Sequence, residues 1–178
     1  NGTHNQDALA VHADEDAIVA VVCDGCSEGR HSEVGAQIGA RLILESMRFH
    51  LGRFRIHNLY PDPLEKVTER VAAFAEQVRQ DLLAHLRMLA RGMGGSLTHT
   101  VSEHFLFTVV AVFMTSAATA VISAGDGYFI LNGEVTRIGP FPGNAPPYLA
   151  YALTGSEVTD SSPGLLRFCV QQYLPTTH

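Results

Sequence analysis

Leu64, Val67, Val71, Phe74, Val78, Leu82, Leu86 and Leu89 recur at spacings of three or four, and no other feature of this chain restricts its fold as much. That period lines one side of an α-helix with apolar side chains and predicts a long helix with a single buried stripe. Asp62 reads as its N-cap, Pro63 as its first helical residue, Glu65 as the partner in a capping-box-like arrangement, and Gly92 as its stop. Such a stripe needs an apolar surface to cover. That surface follows in "FLFTVVAVFM" from Phe105, which is continuously apolar and β-rich, the pattern of a central strand covered on both faces.

The rest of the chain fits this pairing. "ATAVISAG" reads as a second strand, and "YFILNGEVTRI" as two more joined at Asn132-Gly133, a favoured type I′ hairpin turn. After the loop "NAPPY", "YALTG" and "LLRFCVQQYL" read as further strands. Toward the N-terminus, Ala8 to His12 and Ala17 to Cys23 form a hairpin about the polar turn of Asp14, Glu15 and Asp16. Ser32 is an N-cap, with Glu33 in the positive first turn of a helix running to about His50. Gly35 and Gly39, four apart, leave one side of that helix smooth for close packing. "GRFRIHNLYPDP" is a linker. "RGMGGSLTH" lacks the Lys-Ser/Thr of a phosphate loop and reads as a flexible connector. Strands, two long helices and then an antiparallel meander give an α+β fold with helices layered on sheet.

Composition narrows the function. The 178 residues suit one domain, and 46% hydrophobic with 17% charged residues is ordinary for a soluble globule. No apolar run approaches the roughly 20 residues of a membrane helix. A net charge of −6, with a single lysine at Lys66, argues against a nucleic-acid surface. Three cysteines, Cys23, Cys26 and Cys169, give no disulfide framework and fit a reducing, cytoplasmic setting. Cys23 and Cys26 have C-x-x-C spacing, but zinc wants a second ligand pair, so Cys23 reads as a strand-end core residue. The start at Asn1 and the end at "QQYLPTTH" read as a domain, residues 1–178, incomplete at both ends.

Two stretches put an acid beside glycine directly after an apolar strand, Asp24 in "VVCDGC" and Asp126 in "ISAGDGYF". A third acid, Asp7 in "NQDAL", stands just before the first strand. Strand ends fix side chains better than loop tips do, and glycine lets a backbone carbonyl approach a ligand. Carboxylates with a carbonyl and water are the hard-oxygen set preferred by Mg²⁺ or Mn²⁺. Taken singly, each Asp-Gly is an ordinary turn signal. Together the three are expected to converge at one edge of the fold.

In this order the motifs resemble those of the type-2C, metal-dependent serine/threonine protein phosphatases of the bacterial kind. "NQD" is similar to the family's first acidic motif, "DGCSEGRHSEVGA" to its Asp-Gly motif, and the stretch from "FLFTVVAVFM" to "GDGYFILNGEV" to its later strand pair and hairpin. The resemblance implies a four-layer αββα fold, a sandwich of two antiparallel sheets flanked by paired helices. It also implies a centre of two or three Mg²⁺ or Mn²⁺ ions, with Asp24 bridging two of them and Gly25 giving its carbonyl oxygen. Asp7 would serve the second ion directly or through water, and Asp126 an additional ion at the rim. Asp24 and Asp7 would be the catalytic pair. The ions would activate a water against phosphoserine or phosphothreonine and offset phosphoryl charge. A phosphorylated protein is the implied substrate, with a kinase or regulatory partner, and neither nucleic acid nor membrane is involved.

The sequence departs from the family pattern in three ways. Gly2 stands where the family carries a phosphate-binding arginine, which leaves Arg30, and less favourably His4, for that role. Ser27 and Glu28 replace a glycine pair, and two later acidic motifs are missing. For a complete chain the missing arginine and late acidic motifs favour a second reading, a catalytically silent phosphatase-like module that binds a protein partner or phosphopeptide; the start without Met and the abrupt end favour truncation and keep the enzyme reading first.

Overall fold

The computed structural model describes residues 5–53, 63–155 and 166–175. Gly2, His4, the Asp62 cap, the linker from 54 and the last three residues lie outside them.

Strands β1 (Asp7–Ala13) and β2 (Ala17–Gly25) form the expected hairpin. Its turn is built by Asp14, whose carboxylate accepts from the backbone N–H of Asp16 at 3.0 Å and of Ala17 at 2.9 Å. Both strands run further than the sequence suggested, because their pairing continues through Asp7 opposite Asp24. Two helices follow, α1 (Ser32–Arg53) and α2 (Leu64–Met93), then a short α3 (Leu97–His104). β3 (Phe107–Thr115), β4 (Ala118–Ala124) and β7 (Cys169–Pro175) complete one antiparallel sheet in the order β1-β2-β3-β4-β7. β5 (Gly127–Leu131) and β6 (Glu134–Ile138) form a separate two-stranded ribbon through Asn132 and Gly133, both at positive φ.

The helices cover one face of the five-stranded sheet. Val19, Val21, Cys23, Val109, Ala111, Phe113 and Ile122 alternate into that face and are fully buried. From α2, Val71, Phe74, Val78, Leu82 and Leu86 join the same core, and the Phe74 and Phe113 rings meet edge to face at 5.3 Å. Gly35 and Gly39 serve as expected. A Cβ on Gly35 would lie 1.7 Å from the His104 carbonyl oxygen, and one on Gly39 2.3 Å from the Phe107 ring. The opposite face is bare where β1, β2 and β3 carry Leu9, at 65% exposure, with Val11, Ile18, Val22 and Met114 also exposed.

Several expectations need correction. Pro63 occupies the N-cap position of α2 without a side-chain cap, and the helix passes Gly92 to end at Met93, capped by Gly94 at φ 77°. The supposed connector "RGMGGSLTH" contains the start of α3, because the Ser96 side chain caps it by accepting from the His99 N–H. "YALTG" is no strand; Leu149–Leu153 is a 3₁₀ turn whose Leu149, Ala150 and Leu153 are buried at helical spacing. The last strand begins at Cys169, later than the apolar run that announced it. Finally, a two-stranded ribbon stands among the described residues where the sandwich reading expects a second full sheet.

Candidate metal centre

Asp7 opens β1, Asp24 is the penultimate residue of β2, and the two are direct cross-strand partners. Paired residues of an antiparallel ladder project to the same side of the sheet. Asp7 and Asp24 therefore emerge together on the bare face, at the end of the hairpin away from its turn. Asp24 also pairs with Thr108 on β3. Gly125, at φ 84°, passes so close to Thr108 that a Cβ there would lie 2.8 Å from its methyl group. Gly127 approaches Val110 in the same way, at 3.0 Å. The chain leaving β4 thus turns tightly over the bare face, which only glycines allow here, and carries Asp126 back toward Asp24.

The electrostatics record this convergence. Burial raises the Asp24 carboxyl above the ordinary aspartate range, and the Asp7 charge, a hydrogen bond with Asp7 and the more distant Asp126 charge raise it further. Two carboxyl groups can hydrogen-bond only by holding a proton between them, the position a divalent cation takes by displacing that proton. The residues fit such an ion in chemistry, with two hard carboxylates and a neighbouring carbonyl. They fit it incompletely in number. Among the described residues no three His, Cys, Asp or Glu side chains stand close enough to hold one ion. Asp7 and Asp24 are therefore a pair, with Asp126 beyond it.

Gly25 is fixed from both sides. Its N–H donates to the Gln6 carbonyl at 3.1 Å, and a Cβ would meet the Ser32 carbonyl and hydroxyl oxygens at 2.9 Å. Gln6 braces the same turn, donating from Nε2 to Ser32 Oγ at 2.8 Å and to the Cys26 carbonyl at 3.5 Å. The sequence reading made Ser32 only a helix cap. It did not single out Gln6, although Gln6 stands inside the "NQD" motif. Arg30 is 84% exposed, its Nε 3.6 Å from Glu103 on α3. The described contacts do not bring it to the carboxylates. His31 stacks on His104 with ring centroids 5.2 Å apart. Cys23 is buried in the core, as expected, and burial pushes its thiol far up.

Tyr148 was not anticipated. It is 9% exposed and packs edge-on to Tyr151 at 5.6 Å. Burial, above all, holds the phenol well above its ordinary range.

A family model for protein phosphatase 2C matches residues 1–144. Among solved structures, a bacterial serine phosphatase is similar at 12% identity and TM-score 0.49, over 97% of this chain and 68% of its own. Serine/threonine phosphatase Stp1 from Staphylococcus aureus is similar at 13% identity and TM-score 0.47, over 98% of this chain and 64% of its own. PstP/Ppp from Mycobacterium tuberculosis is similar at 11% identity and TM-score 0.43, over 99% of this chain and 69% of its own. Among curated proteins, large ribosomal subunit protein eL8 of Nitrosopumilus maritimus is 30% identical over 81 residues, 45% of this chain. The chain spans 63% of that relative's length.

Proposed function

We propose, from the premise that this chain belongs to the protein phosphatase 2C family, that it contributes the Asp7–Asp24 half of a divalent-metal centre for hydrolysing phosphoserine and phosphothreonine on proteins. The observation that carries the reading is the cross-strand pairing of Asp7 and Asp24 at one end of the bare sheet face, with the Asp126 charge acting on Asp24. Mg²⁺ or Mn²⁺ bound there would supply a water acidic enough to ionise near neutral pH and would offset phosphoryl charge. Asp24, the cross-strand partner of Asp7, would be a ligand of the metal centre. The Gly25 carbonyl, held by the bracing of Gln6 and Ser32, would add a neutral oxygen. Asp7 would complete the pair, and Asp126 would serve the rim. Arg30 would bind phosphate by leaving its exposed contact with Glu103, which stabilises the fold little.

The bare apolar face supports the finer fold reading, an αββα sandwich in which a second sheet packs over Leu9, Val11, Ile18, Val22 and Met114. Phosphoprotein substrates, a kinase or regulatory partner and the cytoplasmic setting belong to the same proposal and rest on family membership. No helix among the described residues is long and apolar enough to cross a membrane.

That no third ligand joins the pair among the described residues favours the second reading, a silent module that binds a phosphopeptide or protein partner. Hydrolysis of a small phosphate ester with Mn²⁺, with and without Asp24→Asn, separates the two. Turnover lost in the variant supports the enzyme, and turnover that survives it removes Asp24 from the centre. Phosphopeptide binding without turnover supports the silent module.

A further inference from the structure

Asp7 and Asp24 face each other at the last rung of the hairpin ladder, and β1 is an edge strand, paired among the described residues with β2 alone. The open end of such a strand frays first, and like charges directly opposite each other push it apart. Register alone therefore does not hold Asp7 in place. One residue before it stands Gln6, whose backbone carbonyl extends the pairing by accepting from the Gly25 N–H at 3.1 Å. Side chains alternate along a strand. Asp7 shares the bare face with exposed Leu9 and Val11, and Gln6 lies on the helix side with Ala8 and Ala10, which pack in the core. There it meets the start of α1. Its Nε2 donates to Ser32 Oγ at 2.8 Å, with the Cys26 carbonyl at 3.5 Å. Ser32 is fully buried, and it is seated so closely under Gly25 that a Cβ there would stand 2.9 Å from its hydroxyl and carbonyl oxygens. One half-buried amide thus ties the loose end of β1 to the first residue of a 22-residue helix.

We propose that Gln6 is a positioning residue: its amide, bonded to Ser32, latches the open end of β1 to α1 and holds Asp7 opposite Asp24. The consequence for metal rests on the metal reading above, so the test carries one arm that needs no metal. Gln6→Met keeps the length of the side chain and removes both N–H donors. Amide hydrogen exchange, read by NMR, follows Gly25 at the latched rung and Asp14, whose N–H donates to the Ala17 carbonyl at 3.0 Å at the other end of the hairpin. Gln6→Met should speed exchange at Gly25 by about three- to tenfold, the scale of one neutral hydrogen bond, and leave Asp14 unchanged. Mn²⁺ binding, read by water-proton relaxation, should weaken by about two- to tenfold, the upper value holding where the unlatched end is mainly open. Ser32→Ala should speed Gly25 to the same degree, and the double variant should lose no more than either single one, because both remove one bond. Unchanged exchange at Gly25 in Gln6→Met overturns the latch. Equal acceleration at Asp14 overturns it too, because the effect is then not confined to the latched end. Faster exchange at Gly25 with unchanged Mn²⁺ affinity overturns the positioning role. If the parent chain binds no Mn²⁺, the metal reading fails, and the two exchange rates alone decide whether the latch stands. If Ser32→Ala does not fold, Gln6→Met decides by the same criteria.

Discussion

Replacing Gly35 by alanine tests how tightly α1 is seated, and with it the start of the turn that presents Asp24. The new methyl would stand 1.7 Å from the His104 carbonyl oxygen, 2.8 Å from its carbon and 3.1 Å from Phe105 Cα. All three are backbone atoms, so no rotamer change relieves the contact. An ordinary carbon–oxygen separation is about 3.3 Å or more, so α1 would have to withdraw by roughly 1.5 Å from the end of α3. One turn further on, Gly39 rests against the Phe107 ring, so that withdrawal would also open the core beneath it. Overpacking of this kind costs about 1–3 kcal/mol, and the rigid partner places Gly35→Ala at the upper end. For a chain of this size that lowers the melting temperature by about 6–12 °C. Gly92→Ala is the control, since nothing lies within 4 Å of its Cβ position near the end of α2. Alanine there should stabilise by about 0.5–1 kcal/mol through helix propensity alone. Thermal unfolding followed by circular dichroism reads both. A Gly35→Ala chain that melts with the parent, or two variants that shift in the same direction, would refute the packing argument.

Three further outcomes are expected. Asp24→Asn should stabilise the metal-free chain increasingly as pH rises: the folded carboxyl is raised, so ionisation costs the folded state stability from the unfolded pKa near 4 up through the folded one. Melting temperatures at pH 4 and pH 7.5 that differ equally between parent and variant would sink that assignment. Calorimetric titration should find weak Mn²⁺ binding and little turnover, since two carboxylates and a carbonyl are a sparse set; micromolar binding with real hydrolysis would mean that Glu28, Glu33 or His31 completes the centre. Asp81 accepts from Ser46 at 2.7 Å and His50 at 2.8 Å across the α1–α2 contact, and from Gln77 on its own helix at 3.1 Å. Asp81→Ala should therefore cost about 1–3 kcal/mol in chemical denaturation, the scale of stranding a buried polar partner, and an unchanged midpoint would show that these bonds do not couple the helices.

What could be read in advance was whatever repeats locally. The stripe from Val67 to Leu86 is helical by period alone, and Asn132-Gly133 names its own turn. Asp7 and Asp24 meet as cross-strand partners, although the reading set Asp7 before its strand and Asp24 after its own. Neither acid lies on a bend, because ladder pairing carries through both. α3 was hidden by the glycines around Ser96, which weaken any helical signal although Ser96 is a sound cap. Tyr148 was hidden for a different reason. It is buried at the entry to the 3₁₀ turn and packs on Tyr151, where the sequence showed only the loop "NAPPY". Arg30 was nominated to stand in for the arginine missing at Gly2, yet its neighbour in space is Glu103.

The hairpin turn at Asp14–Asp16 acts as a ruler for the distant carboxylates. Because β1 and β2 meet residue for residue from Ala13 opposite Ile18 back to Asp7 opposite Asp24, the count of residues in the turn decides which side chains share a face. One residue inserted there, with the strands otherwise paired, would slide β1 by a single step and send Asp7 through to the helix side, because successive side chains of a strand alternate. Surface turns usually tolerate changes in length. This one, exposed and far from the acids, would not: length variation there would dismantle the metal pair while every ligand remained in the sequence.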